Sequence, residues 1–142
     1  MKGKDIKNLA DELKICYRTK NPFDLAEIFG IKTVVNNLLE RERKAYIIKS
    51  ELYPTVIVIN GKYTKSSQKV LCAHELGHAL LHNEGTNYFA VTKENIHTNV
   101  EYEANLFAVA LLFEEREFNV PILEMNNYVL KSILDYNIKE RS

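Results

Sequence analysis

A run of helical hydrophobic spacing over residues 67–83 constrains the fold of this chain more than any other feature. Apolar residues recur in it every three or four positions, which predicts a long helix with one buried side, and Ser66 or Ser67 can cap its start. The letters His-Glu-Leu-Gly-His occupy positions 74–78 of this helix. Gly77 costs on the order of 1 kcal/mol relative to alanine in a helix interior. We therefore expect a neighbouring element to approach the helix closely at Gly77.

The residues before this helix predict two helices and a small sheet. Residues 4–18 have helical spacing, and a second short helix opens at Pro22 and ends at Gly30. Three β-rich segments bounded by turn-forming residues follow at 31–35, 45–48 and 55–59. We expect these strands to pair in a small antiparallel sheet.

The residues after the helix predict a loop and further helices. The loop covers 86–97, a second long helix covers 98–117, and Pro121 opens a last helical stretch. No repeat or linker interrupts the chain, and its 142 residues are the usual size of one domain. We therefore expect a single α+β domain over residues 1–142.

The charge balance and the cysteine count argue against several classes of protein. Lys plus Arg and Asp plus Glu are 19 each, so no general basic field exists to hold nucleic acid. Cys16 and Cys72 are too few for a disulfide framework, and no secretory leader precedes them. No apolar run approaches the roughly 18 residues that span a bilayer. We therefore expect a cytoplasmic protein with reduced thiols, no membrane partner and no direct nucleic-acid contact, in which Cys72 is a small buried hydrophobe.

Two histidines of the long helix have the spacing of metal ligands. His74 and His78 lie four residues apart, so both imidazoles stand on one helix face, as two ligands of a tetrahedral zinc ion require. Glu75 projects beside them, where it can take a proton from a water activated by zinc. The pattern therefore predicts metal-dependent hydrolysis. The alternative, two ordinary polar residues on a helix face, is disfavoured because the flanking residues are apolar and burying imidazoles without partners is costly.

The third ligand should be an acid on the following helix, where two acids are available. Glu101 has Asn105 four positions later on the same face, so Asn105 can orient a ligand through a hydrogen bond. Glu103 has Phe107 at the corresponding position, so we favour Glu101. A capping role for Glu101 stays open, because Thr98-x-x-Glu101 also has the spacing of a capping box.

The other two histidines are not expected to bind the metal. His82 lies a further turn beyond His78, and the Ala-Leu-Leu run at 79–81 continues the helix, so a straight helix carries His82 away from the metal. We expect His82 to form hydrogen bonds or to pack. His97 is isolated in the predicted loop, where we expect it to be solvated.

At these residues the chain resembles the ImmA/IrrE family of metallopeptidases. Two blocks carry the resemblance, His-Glu-Leu-Gly-His-Ala-Leu-Leu-His at 74–82 and Glu-Tyr-Glu-Ala-Asn-Leu-Phe-Ala-Val-Ala-Leu-Leu at 101–112. The resemblance implies a minimal zincin-like, gluzincin-type metalloprotease domain with Glu75 as its catalytic acid. The zinc ligands that it implies are His74, His78 and Glu101. The chain departs from the family pattern where Phe113-Glu114 replaces a usual Met-Pro, and it ends soon afterwards, so we expect no additional sensor domain.

The resemblance also implies a biological role. Such proteins occur in phages, integrative elements and bacterial stress regulons, and are proposed to cleave a helix-turn-helix repressor and so derepress its genes. We therefore expect a Zn²⁺-dependent endopeptidase whose protein substrate is a helix-turn-helix repressor. A gluzincin-like arrangement would hold the substrate peptide along an edge strand near residues 55–60.

The alternative function is binding without proteolysis. The chain would then be a zinc-stabilised antirepressor or an antitoxin-type partner that acts by contact alone. Glu75 favours the peptidase, since a purely structural metal site needs no general base. A closed site with four protein ligands would favour the binding protein.

Overall fold

Eight α-helices and β-strands organise the part of the chain that the structure, a computed structural model, describes: residues 2–82 and 93–142, with side chains from 99 onward in the second range. In chain order they are α1 (Gly3–Tyr17), α2 (Pro22–Ile28), β1 (Lys32–Asn36), β2 (Ala45–Ile48), β3 (Val56–Asn60), α3 (Lys65–Leu81), α4 (Lys93–Leu112) and α5 (Asn127–Tyr136). Two short 3-10 turns, Glu115–Glu117 and Ile122–Glu124, separate α4 from α5. The expected α+β fold is confirmed.

The helix α2 begins and ends where its sequence predicts. Pro22 stands at its first position, and the Asn21 side chain accepts a hydrogen bond from the Phe23 N–H at 3.0 Å. A proline at the first position and a capping asparagine before it both favour the start of a helix. Gly30 follows the helix with a φ of +74°, a left-handed conformation that suits glycine. The buried residues of α1, which packs mainly on α4, are Ile6, Ala10 and Leu13.

The sheet is mixed, so the expectation of an antiparallel sheet was wrong in part. The strand order is β1-β3-β2, with β3 parallel to β1 and antiparallel to β2. The buried residues Ile57, Val58 and Ile59 form the apolar run of β3, and a run that is buried on both faces suits a central strand. The edge strand that we expected near residues 55–60 is therefore the centre of the sheet, and β2 forms an edge instead.

The helix α3 is capped two positions before the first of the two serines that were expected to cap it. The Thr64 hydroxyl accepts a hydrogen bond from the Ser67 N–H at 3.2 Å. Ser67 itself is buried, and its hydroxyl donates to the backbone carbonyl of Asn137 and accepts from the Lys139 N–H. The serine thus fastens the start of α3 to the segment after α5, which a single-sequence capping rule does not indicate.

Gly77 lies where α3 meets α4. A Cβ atom on Gly77 would stand 3.1 Å from Ala104 Cα and 3.2 Å from the Ala104 carbonyl oxygen. The expected close approach of a neighbouring element is confirmed, and that element is α4.

The helix α4 is displaced toward the N-terminus relative to its prediction. It begins at Lys93, so residues 93–97, including the backbone of His97, are helical and not part of a loop. Residues 83–92, which hold most of that predicted loop, lie outside the described residues, as does the His97 side chain. The helix ends at Leu112 rather than at 117, where the Lys20 ammonium donates to the Leu112 carbonyl. A cation at this end also offsets the negative end of the helix dipole.

The stretch after Pro121 is helical in two pieces rather than one. Pro121 precedes a single 3-10 turn, and α5 starts afresh where the Asn126 side chain accepts from the Val129 N–H at 2.9 Å. α5 packs on α4 and buries Leu130 and Leu134.

The core lies between the helices and the inner face of the sheet, and Cys72 belongs to it. Cys72 is fully buried, and burial raises the pKa of its thiol to about 12, with a smaller contribution from the Glu75 charge. The expectation of a buried, small hydrophobe is confirmed. Among the described residues no helix combines the length and the apolar character needed to cross a bilayer.

Candidate metal centre

Three side chains from α3 and α4 converge on one point. His74 Nε2 lies 3.2 Å from Glu101 Oε1, and His78 Nε2 lies 3.0 Å from Glu101 Oε2. One ligand atom from each of the three residues lies within 4.8 Å of the other two. In a tetrahedral zinc site with ligand bonds of about 2.0–2.1 Å, ligand atoms stand roughly 3.3 Å apart. The three groups are therefore spaced as ligands of one small cation.

The packing of α3 on α4 explains this convergence. The four-residue spacing places the two imidazoles on one face of α3, with their ring centroids 4.7 Å apart. The close contact between Gly77 and Ala104 then brings the middle of α4, and with it Glu101, against that face. A larger residue at Gly77 would hold the two helices further apart.

The choice between the two acids of α4 follows from where each one points. Glu101 faces His74 and His78, whereas Glu103 lies on another side of the helix and bonds His82. Thr98 lies inside α4 and not before its start, so a capping box between Thr98 and Glu101 is excluded.

The contacts between Glu101 and the two histidines favour the charged forms of Glu101 and His74. Burial alone would raise the pKa of Glu101, but hydrogen bonds with His74 and His78 outweigh it and hold that pKa well below its usual range. Burial likewise opposes the charged form of His74, yet its hydrogen bond with Glu101 and the nearby Glu75 charge raise the pKa of His74. A bound divalent cation would replace these protons and favour the ionised carboxylate still more strongly.

Glu75 stands beside the three groups and not among them. It lines a cavity of about 210 Å³ together with His74, Glu101 and Asn105. Burial raises the pKa of Glu75, and the Glu101 charge adds to this effect against the opposing influence of the two histidines. A carboxylate with a raised pKa that opens onto a cavity is suited to accept a proton and to return it.

The two imidazoles are held by different neighbours. The Asn105 amide is hydrogen-bonded to His74, and Asn105 Nδ2 donates to Asn127 Oδ1 at 2.8 Å. Of the residues predicted to bind the metal, Asn105 can therefore orient His74. Sequence reasoning missed Asn127 because it lies 22 residues further on, in the first turn of α5, and no local pattern links the two amides.

His82 holds the His78 ring through a hydrogen bond. Its Nδ1 lies 3.1 Å from His82 Nδ1, and His82 Nε2 lies 2.7 Å from Glu103 Oε1. His82 ends α3, is buried, and its backbone carbonyl accepts a hydrogen bond from the Lys49 ammonium. Burial lowers the pKa of His82, and the positive charges of His78 and Lys49 add to this effect against the opposing hydrogen bond to Glu103. The expected hydrogen-bonding role of His82 agrees with these contacts.

A family model covers most of the chain, including the two sequence blocks at 74–82 and 101–112. The model of the IrrE N-terminal-like domain, Peptidase_M78, matches residues 26–141. The chain belongs to this IrrE N-terminal-like peptidase family. The match begins in α2 and includes the whole sheet, α3, α4 and α5. The described part of the chain has five α-helices and a mixed sheet of three strands, which is the fold of a zincin-like member of this family.

A curated relative of this IrrE-like chain comes from a phage. "Uncharacterized immunity region protein 2" of Bacillus phage phi105 is 36% identical to it over 102 residues. The alignment covers 70% of this chain and 62% of the phage protein, so the chain spans less than two thirds of the length of that relative. No solved structure gives a significant match.

Proposed function

We propose that this chain is a zinc-dependent endopeptidase with His74, His78 and Glu101 as zinc ligands. The observation that carries the proposal is the convergence of these three side chains beside Glu75 and an accessible cavity. Two imidazole nitrogens and one carboxylate are a donor set that suits zinc, and a set of three protein ligands leaves a position for reactants. Among the described residues, no fourth His, Cys, Asp or Glu joins the group, so a closed structural site is disfavoured.

The residues of the site have separate tasks in peptide hydrolysis. When bound, zinc supplies Lewis-acid chemistry that polarises the scissile carbonyl and makes the attacking water more acidic. Glu75 accepts the proton of that water and passes it to the nitrogen of the departing amine. Its raised pKa suits both transfers, since the group must hold the proton between them. Asn105 and His82 keep the rings of His74 and His78 in place.

The edge strand β2 is the proposed site for the substrate backbone. The Asn60 N–H donates to the Lys44 carbonyl at 2.9 Å, so these two residues form a hydrogen-bonded pair. Such pairs alternate along antiparallel strands, so the N–H and C=O groups of Ala45 and Ile47 point away from β3. Ala45 also lines the cavity next to His74. An extended peptide that pairs with β2 would therefore pass alongside the metal site.

We further propose a helix-turn-helix repressor as the substrate and derepression of phage, mobile-element or stress genes as the outcome. The name of the phage relative refers to an immunity region, and the family resemblance implies a repressor partner. Such a repressor acts in the cytoplasm, and the zero net charge of the chain suits a protein partner better than nucleic acid.

The test compares wild type with Glu75→Gln on the repressor encoded beside the gene. General-base catalysis contributes about 10²–10⁴-fold, so we expect cleavage to fall by at least 10²-fold while zinc content and repressor binding stay near wild type. Cleavage is followed by mass spectrometry and derepression by a reporter in cells. If Glu75→Gln derepresses as well as wild type, proteolysis is not the activity. The non-proteolytic antirepressor or antitoxin-type function would then replace our proposal.

A further inference from the structure

A chain of hydrogen bonds leads from His78 away from the metal centre to a carboxylate. His78 Nδ1 faces His82 Nδ1 at 3.1 Å, and His82 Nε2 faces Glu103 Oε1 at 2.7 Å. The chain joins the last turn of α3 to α4 and is well shielded from solvent. The His82 side chain is 7% exposed and that of Glu103 is 19% exposed.

The direction of the protons along this chain follows from the chemistry of its end. An ionised carboxylate only accepts hydrogen bonds, so the proton between Glu103 and His82 belongs to His82 Nε2. The two Nδ1 atoms can hold one proton between them. If His82 is neutral, its Nδ1 is an acceptor, and the shared proton belongs to His78 Nδ1. When zinc is bound, a neutral His78 then has its lone pair on Nε2, the nitrogen that faces the proposed zinc position.

The opposite arrangement is incompatible with metal binding. If the shared proton belonged to His82 Nδ1, His78 Nδ1 would be the acceptor. His78 Nε2 would then carry a proton and could only donate it to Glu101. The His78 tautomer that can bind a cation is therefore the one in which His78 Nδ1 donates to His82 Nδ1 and His82 Nε2 donates to Glu103.

We propose that His82 and Glu103 form a relay that fixes the tautomer and ring orientation of His78 and thereby raises its metal affinity. This inference rests on the proposed metal site. Metal-bound histidines usually donate their other ring N–H to a carboxylate, a backbone carbonyl or water, and loss of such a partner weakens metal binding by about 10–100-fold. Here an imidazole stands between the ligand and the carboxylate. His82 and Glu103 are positioning residues and do not touch the metal.

The first test is zinc affinity, measured by competition with a chromophoric chelator. His82→Phe keeps a ring of similar size and removes both hydrogen bonds, so we expect zinc to bind about 10–100-fold more weakly. Leu13→Ala, a truncation in the core of α1, serves as the control for general destabilisation. It should lower the midpoint of unfolding and leave zinc affinity within about threefold.

The second test asks whether Glu103 acts through His82. Glu103→Gln should weaken zinc binding mildly in the wild-type background, because a glutamine can either accept from His82 or donate to it. In the His82→Phe background the same change should have no further effect, since the intermediary is gone. Independent, additive losses would overturn the relay.

The third test reads the protons directly. In the zinc-loaded protein, the ¹⁵N spectrum of the imidazoles should contain a neutral His82 with its proton on Nε2. A proton on His82 Nδ1 instead would contradict the proposal. If wild type itself fails to bind zinc, the proposed metal site is wrong. If wild type binds zinc and His82→Phe binds it equally well, the relay is wrong and the peptidase proposal stands.

Discussion

At the scale of single residues, Glu101 has two tasks at the centre of the site. Each of its oxygens meets a different imidazole, so one side chain both offers a charge and fastens α4 to α3. Glu103, two positions later, pairs with His82 and not with His74 or His78. Acids that are close in sequence thus differ in function because a helix turns by about 100° per residue.

We expect this difference to appear in the zinc affinity of two matched variants. Glu101→Gln removes the charge and one good donor atom and should weaken zinc binding by at least 10²-fold, whereas Glu103→Gln should weaken it by less than about tenfold. Isothermal titration with zinc, on protein first freed of metal, provides the measurement. The reverse order of the two losses would mean that Glu103 is the ligand.

The sequence predicted the part of the site that depends on local geometry. His74 and His78 are related by one turn of helix, and Glu101 was favoured over Glu103 from the neighbours on its face. Zinc binding by these residues stays a prediction. The pairing of His82 with Glu103 and the contact between Asn105 and Asn127 were not predicted, because they depend on how α3, α4 and α5 pack and not on the spacing within any one of them.

At the scale of elements, the contact between α3 and α4 sets the width of the site. Gly77→Ala would gain about 1 kcal/mol of helix propensity, but its methyl group would stand 3.1 Å from the Ala104 Cα. Because that neighbour is backbone and cannot rotate away, the overpacking cost of about 1–3 kcal/mol should exceed the gain. We expect a net loss of stability and weaker zinc binding, measured by urea unfolding and chelator competition.

The control for this variant lies on the same helix. Lys69→Ala changes an exposed position of α3 and should alter stability by no more than about 0.5 kcal/mol. If Gly77→Ala proves as stable as wild type and binds zinc equally well, the close approach does not set the geometry of the site.

The positions of the three strands could be predicted from the sequence, but their order in the sheet could not. Each strand was located within a residue or two from its β-rich composition. The residues of β1 and β2 are partly or fully exposed and those of β3 are mostly buried, as expected from the central place of β3. That place is decided by which distant segments pair, so the sequence alone does not indicate that β3 is central and that β2 is an edge strand.

If the substrate pairs with the edge strand β2, as we propose, a change in the backbone of β2 should weaken substrate binding. Ala45→Pro removes an N–H that points away from β3, so the sheet should survive, as edge strands tolerate proline there. Repressor binding should fall by about tenfold, the loss expected for a hydrogen bond worth roughly 1.4 kcal/mol. Binding is measured in a Glu75→Gln background so that no cleavage occurs.

A second proline in the same strand is the matched control. The Tyr46 N–H faces Val58 in the ladder, so Tyr46→Pro should cost stability whether or not a substrate is present. Unchanged repressor affinity in folded Ala45→Pro protein would mean that the substrate does not pair with β2.

At the scale of the whole molecule, the candidate metal centre lies beside a large apolar core formed by the described residues. The buried cluster draws apolar residues from all five helices and from β3, among them Phe107, Leu76, Ile57, Leu25 and Leu130. The three proposed ligands also contact one another, since each Glu101 oxygen pairs with one imidazole. Small zinc domains that unfold without metal lack such a core. That residues 1–142 form a single domain stays a prediction.

We therefore expect removal of zinc to lower the stability of this protein without unfolding it. A ligand that binds only the native state adds about 4 kcal/mol of stability at a free concentration of 1,000 times its Kd, so chelation should lower the thermal midpoint by about 10–15 °C. The far-ultraviolet circular dichroism of the helices should persist at 25 °C. Glu75→Gln should have the same zinc-dependent shift as wild type because Glu75 is not a ligand, and His74→Ala should have little or none. Collapse of the helical signal on chelation would mean that the ion, and not the apolar core, holds α3 against α4.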